Sequence, residues 1–228
     1  MKLRTILYAF SLLLLAPVTG FAADLPPVVT KAPALVTAST ACTTTPLSCT
    51  GFYLGGGLAG AGSNADILGS GINGSVFAGG ITPTIDAGYQ YIQGNWVFAF
   101  EADAGYSVNT NAAVNGLGNS FNGARFEQLF KVGGNLAGLL GTQPPITIPA
   151  SLANSVLAPY VFDGIAEWDV PGAWAAGNIS GAGVLFDIGP KLFGDLRYSY
   201  TNFNGAKAGN GLTINNDQSV KMLINYKF

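Results

Sequence analysis

From Gly51 to Phe228 the sequence predicts an all-β fold, an eight-stranded antiparallel transmembrane β-barrel, preceded by a signal peptide and a tether. Three observations predict it. Apolar residues make up 49% of the 228 positions and charged residues only 10%, where a soluble domain carries about 25% charged residues. Apolar and polar residues alternate over segments of roughly ten residues, parted by Gly, Asn and Pro clusters, with no sustained helical period. Within those segments charged side chains have the parity opposite to the aromatic ones, so each strand has one apolar and one polar face.

The composition also excludes classes. Disorder needs low hydrophobicity and high net charge, whereas the formal charge here is −2. The 10 Lys and Arg are scattered and make no basic face for nucleic acid. A membrane-spanning helix needs about 18 or more consecutive apolar residues. The one long apolar run, Ile6 to Ala16, is shorter than that and lies at the N-terminus.

Residues 1–22 read as a signal peptide: Lys2 and Arg4 give the positive start, Ile6 to Ala16 the apolar core, and Gly20-Phe21-Ala22 a small-x-small cleavage site. Residues 23–50 hold Pro26, Pro27, Pro33, Pro46 and many threonines without a hydrophobic period, and read as an extended periplasmic tether. Cys42 and Cys49, with six residues between them, are the only cysteines. In an exported chain they read as a local disulfide, since neither Cys-x-x-Cys spacing nor a histidine partner suggests redox or metal chemistry.

Residues 51–228 carry the strands. Strand 1, Phe52 to Gly62, has no charge; strand 2, Pro83 to Ile92, carries Asp86. Strand 3 sets Trp96, Phe98, Phe100 and Tyr106 against Glu101 and Asp103, and strand 4, Arg125 to Leu136, sets Phe126 and Phe130 against Arg125, Glu127 and Lys131. In strand 5 Tyr160, Phe162, Ala166 and Trp168 oppose Asp163, Glu167 and Asp169; strand 6, Ile179 to Ile188, carries Asp187. Strand 7 gives Leu192, Leu196, Tyr198 and Tyr200 against Asp195 and Arg197, and strand 8, Ser219 to Phe228, gives Val220, Met222, Ile224, Tyr226 and Phe228 against Lys221 and Lys227. External loops are expected at Ser63–Thr82, Ser107–Ala124, Pro171–Gly177 and Asn204–Asn216, with turns at Gln93–Asn95 and Gly189–Lys191 and a long Ala137–Leu157 connection.

Two barrels alternate in this way. A soluble, lipocalin-like barrel would turn its charges outward, while a membrane barrel turns an apolar belt to lipid and polar residues inward. The low charge favours the second. Trp96 and Tyr106 also lie ten residues apart on one face, about 25 Å along the axis at ~3.3 Å per residue and ~40° tilt, the height of an apolar band between aromatic girdles. Trp96, Tyr106, Tyr160, Trp168, Tyr198 and Tyr200 are the expected girdle. The nine acids and five bases of strands 2 to 8, from Asp86 to Lys227, are the expected lumen charges. Eight strands enclose a space that side chains can fill, whereas open aqueous channels come with about sixteen.

Asp24-Leu25-Pro26-Pro27 after the signal, Thr50-Gly51-Phe52-Tyr53-Leu54-Gly55-Gly56, Gly94-Asn95-Trp96-Val97-Phe98, the small residues around Ala182-Gly183 and the terminal Asn225-Tyr226-Lys227-Phe228 occur in this order. In these residues the chain resembles the alphaproteobacterial outer-membrane immunogenic, opacity-like β-barrels over nearly all of Gly51 to Phe228. The resemblance implies insertion by the outer-membrane assembly machinery through the C-terminal strand, with Lys221, Tyr226 and Phe228 as the assembly signal. It also implies residence among outer-membrane lipid and lipopolysaccharide, and a surface role toward host or neighbouring-cell molecules. Leu223 stands where the general assembly signal often has glycine, a departure from that pattern.

No cofactor is expected. Gly55-x-Gly57-x-x-Gly60 imitates a dinucleotide fingerprint, but small and polar residues follow where a helix should begin. Enzymatic outer-membrane barrels generally use histidine as base or orienter, and the chain has none. Carboxylate pairs such as Glu101/Asp103 read as partners for lumen cations rather than as an acid–base pair, and no loop has the spacing of a calcium site. The expected role is structural and surface-facing, with no catalysis; the alternative is a small porin passing ions or solutes.

Overall fold

The computed structural model describes residues 45–67, 74–109, 122–136, 156–170, 173–207 and 212–228, with the side chains of 64–67, 74–76 and 212 excepted. All lie in one compact unit, Ser39–Phe228. The signal peptide, Cys42 and most of the tether, and residues 137–155 of the long connection fall outside the described residues.

The strands are β1 Gly51–Ile67, β2 Gly74–Gln93, β3 Trp96–Asn109, β4 Gly123–Gly134, β5 Leu157–Val170, β6 Ala173–Asp187, β7 Leu192–Lys207 and β8 Leu212–Lys227. Each pairs antiparallel with the next, and β8 closes on β1 from Tyr53↔Lys227 to Ile67↔Leu212. Closure leaves no sheet edge. Both ends of the barrel chain lie at one rim, the terminal rim; the opposite loop rim carries the other connections. Gly94, at φ +60°, makes the tight turn from β2 to β3. The Ile188 N–H donates to the Leu192 carbonyl at 2.9 Å to turn β6 into β7.

All four expected external loops are corrected. β3 runs to Asn109 and β4 begins at Gly123, inside the expected Ser107–Ala124 loop. β1 and β2 continue pairing to Ile67↔Gly74, where Ser63–Thr82 was expected to be loop. β6 begins at Ala173, inside the expected Pro171–Gly177 loop, and β7 and β8 run to Lys207 and from Leu212, inside Asn204–Asn216. Alternation of apolar residues marks only the part of a strand that faces an apolar surface, while the ladder of backbone hydrogen bonds continues into water. The strands are longest in the β1–β2 hairpin, at 17 and 20 residues, and shortest at β4, at 12.

The barrel has its apolar residues outside. Phe52, Leu54 and Leu58 of β1, Ile81 and Ile85 of β2, Phe100 of β3 and Val220, Met222 and Ile224 of β8 are exposed on its outer surface. Asp86, Glu101, Asp103, Glu127, Asp187, Asp195 and Asp217, with Arg125, Lys131, Arg197, Lys221 and Lys227, are buried inside. This is the polarity of a transmembrane barrel, not of the soluble alternative.

β5 reverses the expected register. Tyr160 and Trp168, expected in the girdle, are buried in the lumen at 4% and 2% exposure, with Phe162 beside them. Asp163, expected in the lumen, is exposed outside, and Glu167 and Asp169 share that outward face half-exposed. The aromatics face inward because lumen cations lie over their rings: Arg125 over Trp168 at 4.9 Å, Lys131 over Tyr160 at 5.0 Å, and Arg197 over Phe162 at 5.8 Å. β6 makes room for them. A Cβ on Gly181 would meet the Phe162 ring at 2.5 Å, and one on Gly183 the Tyr160 hydroxyl at 2.6 Å, so aromatic rings of β5 lie over bare backbone of β6.

Pro46–Ser48, assigned by the sequence to the tether, forms a 3-10 turn against the terminal rim. Leu47 is buried there with Tyr53, Leu185 and Phe193. Its N–H donates to Asp187 Oδ1 at 3.2 Å, and the Val156 N–H donates to Asp187 Oδ2 at 3.3 Å. Asp187 thus ties the chain entering β1 to the chain entering β5.

Filling the space over β6 is expected to cost the barrel about 1–3 kcal/mol, the usual cost of overpacking. Gly183→Leu should lower the urea midpoint of the folded barrel in lipid vesicles, while Ala87→Leu, on the outer face of β2, should leave it unchanged.

Candidate functional site: the charged interior

Inward positions on six strands supply the charges: Asp86 on β2, Glu101 and Asp103 on β3, Arg125, Glu127 and Lys131 on β4, Asp187 on β6, Asp195 and Arg197 on β7, and Asp217, Lys221 and Lys227 on β8. The ladder places like charges opposite one another, Asp86↔Asp103 and Arg197↔Lys221. Such pairs destabilise a sheet unless counter-charges reach them. Here they do.

Arg197 reaches from β7 to β3, donating from Nη1 to Glu101 and from Nη2 to Asp103. Lys131 donates to Glu101 at 2.6 Å and Asp195 at 2.7 Å. Lys221 donates to Asp103 at 2.7 Å and Glu127 at 2.8 Å. Each cation therefore joins two acids. Two phenols complete the layer: Tyr53 donates to Glu101 at 2.6 Å and Tyr160 to Asp195 at 2.5 Å. With its amide nitrogen turned toward Asp86, Asn225 donates to that carboxylate at 2.7 Å. These bonds join seven of the eight strands, all but β6, and fill the lumen at this level.

Apolar layers lie on either side. Leu47, Val97, Leu185 and Phe193 close the terminal side, and Ala78, Trp168, Val170, Phe203 and Ile214 pack toward the loop rim. Near the loop rim Arg125 donates to Asp217 at 2.5 Å, and Ser63 Oγ donates to the same residue at 2.6 Å. Thr82 and Ser107 share a hydrogen bond at 2.9 Å beside a shallow recess that Arg125 and Trp168 also line. Among the described residues, Lys227 Nζ and the Gln90 amide have no hydrogen-bond partner and are buried.

Asp86, Glu101 and Asp103 bring carboxylate oxygens within 4.8 Å of one another, close enough to hold a cation. Arg197, Lys131 and Lys221 already neutralise two of the three. The arrangement is an ion-pair network, in which the burial of Glu101, Asp103, Glu127, Asp195 and Asp217 is tolerated because each faces a cation, while Asp86 is held by the Asn225 amide.

Eleven of the fourteen expected lumen charges lie inside, and Asp163, Glu167 and Asp169 do not. Asp217 was missed because the expected loop ended beside it. It shares the odd parity of Lys221 and Lys227, so extending the alternation of strand 8 would have found it. Of the girdle, Trp96, Tyr106, Tyr198 and Tyr200 are outward and exposed, and Trp174, placed by the sequence in a loop, joins them, stacked on Phe126 at 6.2 Å. In the expected assembly signal Tyr226 and Phe228 face outward, edge to face at 5.3 Å, and Lys221 is inside the network.

No protein-family model matches the chain, and no curated protein matches it. Among solved structures it is similar to Neisserial surface protein A, at 19% identity over 78% of this chain and 97% of that one, with a TM-score of 0.47. It is similar to outer membrane protein OprG of Pseudomonas aeruginosa, at 15% identity over 79% and 97%, TM-score 0.40. The attachment invasion locus protein Ail of Yersinia pestis matches at 12% identity over 79% and 100%, TM-score 0.38. The eight-stranded closure of this chain stands on its own strand register.

Removing Arg197 would strand Glu101 and Asp103, a change that costs about 3–5 kcal/mol when one partner of a buried pair is lost. Arg197→Met is expected to lower unfolding stability in vesicles by that amount, and Tyr53→Phe, which deletes one hydrogen bond to Glu101, by about 1–3 kcal/mol. Urea titration followed by tryptophan fluorescence measures both.

Proposed function

We propose that the chain is a closed structural barrel of the bacterial outer membrane, exported by residues 1–22 and inserted through β8. It stabilises the envelope and presents its loop rim to the outside. The observation that carries this reading is the lumen: paired charges at mid-height, sealed by apolar layers, on a barrel whose outer surface suits lipid. Eight strands leave no room for a second, water-filled path beside such a network.

The terminal rim fits a periplasmic location, with residues 23–44 leading to it, and the loop rim fits contact with lipopolysaccharide and host or neighbouring-cell surface molecules. The resemblance noted above supports insertion by the assembly machinery. So does the outward pair of terminal aromatics, Tyr226 and Phe228, beside which Lys191 lies over the Tyr226 ring at 5.5 Å. A Cys42–Cys49 bridge, formed after export, would close a short loop around the turn that carries Leu47.

Planar-bilayer recording of the pure protein is expected to give no stable conductance steps; regular steps would establish the porin alternative instead. Deleting Phe228, whose N–H donates to the Phe52 carbonyl at 3.1 Å where β8 meets β1, is expected to lower the amount of heat-modifiable barrel in outer-membrane fractions several-fold. Unchanged levels would remove the C-terminal aromatic from the assembly signal.

A further inference from the structure

The reversed register of β5 leaves an unusual strip on the outside of the barrel. Among residues with described side chains, the outward charges within strands are Asp163, Glu167, Asp169 and, near the loop rim, Lys207. Asp163 lies six residues from the terminal end of β5 and seven from its loop end, about 15 Å from the lower end at ~3.3 Å per residue and ~40° tilt, hence in the middle of a ~25 Å apolar band. It has no hydrogen bond or ion pair within the chain among the described residues. Hydrocarbon offers it none.

Its neighbours on the outer face are unlike those elsewhere on the barrel. Ser180 of β6 stands directly opposite Asp163, with Phe130 of β4 on its other side. One step toward the loop rim, Gln128 and Asn178 flank Ile165, and Asn202 of β7 follows Asn178. All four of these polar residues are exposed. On either side of Asn178 and Ser180 the outer row of β6 carries Ala176 and Ala182, small enough to let another sheet approach closely. At the depth of Asp163 the outer rows of β1, β2, β3 and β8 carry Leu58, Ile85, Ala102 and Val220.

We propose that the outer face of β5 and β6 is a lateral interface within the membrane, and that its partner is a second copy of this chain. Donor and acceptor are complementary within the one patch: Asp163 accepts, and Ser180, Asn178 and Gln128 donate. An isologous contact sets a patch against itself. Two copies inserted in the same direction are related by a two-fold axis parallel to the barrel axis, which brings residues of equal depth together. Asp163 and Ser180 face each other on one rung of the β5–β6 ladder at nearly equal depth, so the axis places the carboxylate of each copy against the hydroxyl and amide donors of the other. A lipid tail supplies no donor, and an unrelated partner would need its own matching strip.

The inference rests on the barrel being membrane-embedded, and the test separates the two. The full chain, carrying Cys42→Ser and Cys49→Ser, is reconstituted into phospholipid vesicles; flotation with the vesicles and heat-modifiable mobility report insertion and folding. Ala182→Cys, beside Ser180 on the outer row of β6, is then oxidised in parallel with Ala87→Cys, which sits on the outer face of β2 on the opposite side of the barrel. Ala182→Cys is expected to give at least about tenfold more disulfide dimer, and adding Asp163→Leu to cut that yield about tenfold, the weight of one or two intramembrane hydrogen bonds. Floating, folded protein with equal dimer yields at both positions overturns the proposal, as does a yield at Ala182→Cys that Asp163→Leu leaves unchanged. Cross-linking of Ala182→Cys in intact outer membranes to a different protein in place of itself also overturns it. Failure to float would instead count against the membrane reading.

Discussion

A chain surrounded by hydrocarbon has nowhere to send its backbone amides and carbonyls except to itself. Every other feature of this molecule follows from how it meets that constraint. The β8–β1 ladder, running from Tyr53↔Lys227 to Ile67↔Leu212, removes the two edges that an open sheet would have. Closing only eight strands makes the enclosed space narrow, and a narrow space must be filled by side chains. Filling it is therefore a packing problem in which half of all strand positions take part.

The packing is solved differently on two sides of the lumen. β3, β7 and β8 offer charges, and β5 offers Tyr160, Phe162 and Trp168 in the same layers, with the glycines of β6 behind them. Cations held by two carboxylates at their heads still have faces to cover, and the aromatic rings of β5 cover them. A wholly charged lumen of this width would crowd like charges together, and a wholly apolar one would leave a weaker contrast with the belt. The mixed filling ties strands distant in sequence: Arg197 and Glu101 are 96 residues apart.

Fold class, strand number and most of the lumen charges were legible in the sequence, because a two-residue period with charges on one parity is a direct record of which side meets lipid. β5 was misread for a physical reason. Tyr and Trp are amphipathic, and a ring suits a girdle or the face of a buried guanidinium equally well. Choosing the register of each strand by its aromatics therefore assigned Asp163 to the inside along with Glu101 and Asp103. The apolar set Val161 and Ile165 had the opposite parity and would have given the correct face. Asp217 was missed because the strand was started two residues beyond it, although its odd parity matches Lys221 and Lys227, and the upper parts of β1 and β2 were missed because apolar alternation fades beyond the lipid-facing band. Leu47 carries no periodic neighbours to mark it as a stopper, so its burial appears only in three dimensions.

The unequal strand lengths give the barrel a sloping rim. The 17 residues of β1 rise about 43 Å at ~40° tilt, roughly 18 Å more than a ~25 Å apolar band requires, whereas the 12 residues of β4 rise only about 30 Å. The excess is laddered to β8 on one side and β2 on the other, so it is a rigid parapet rather than a swinging loop. A bulky molecule reaching this rim from the β8–β1–β2 direction would therefore meet a wall of paired strands, which turns it aside by shape alone.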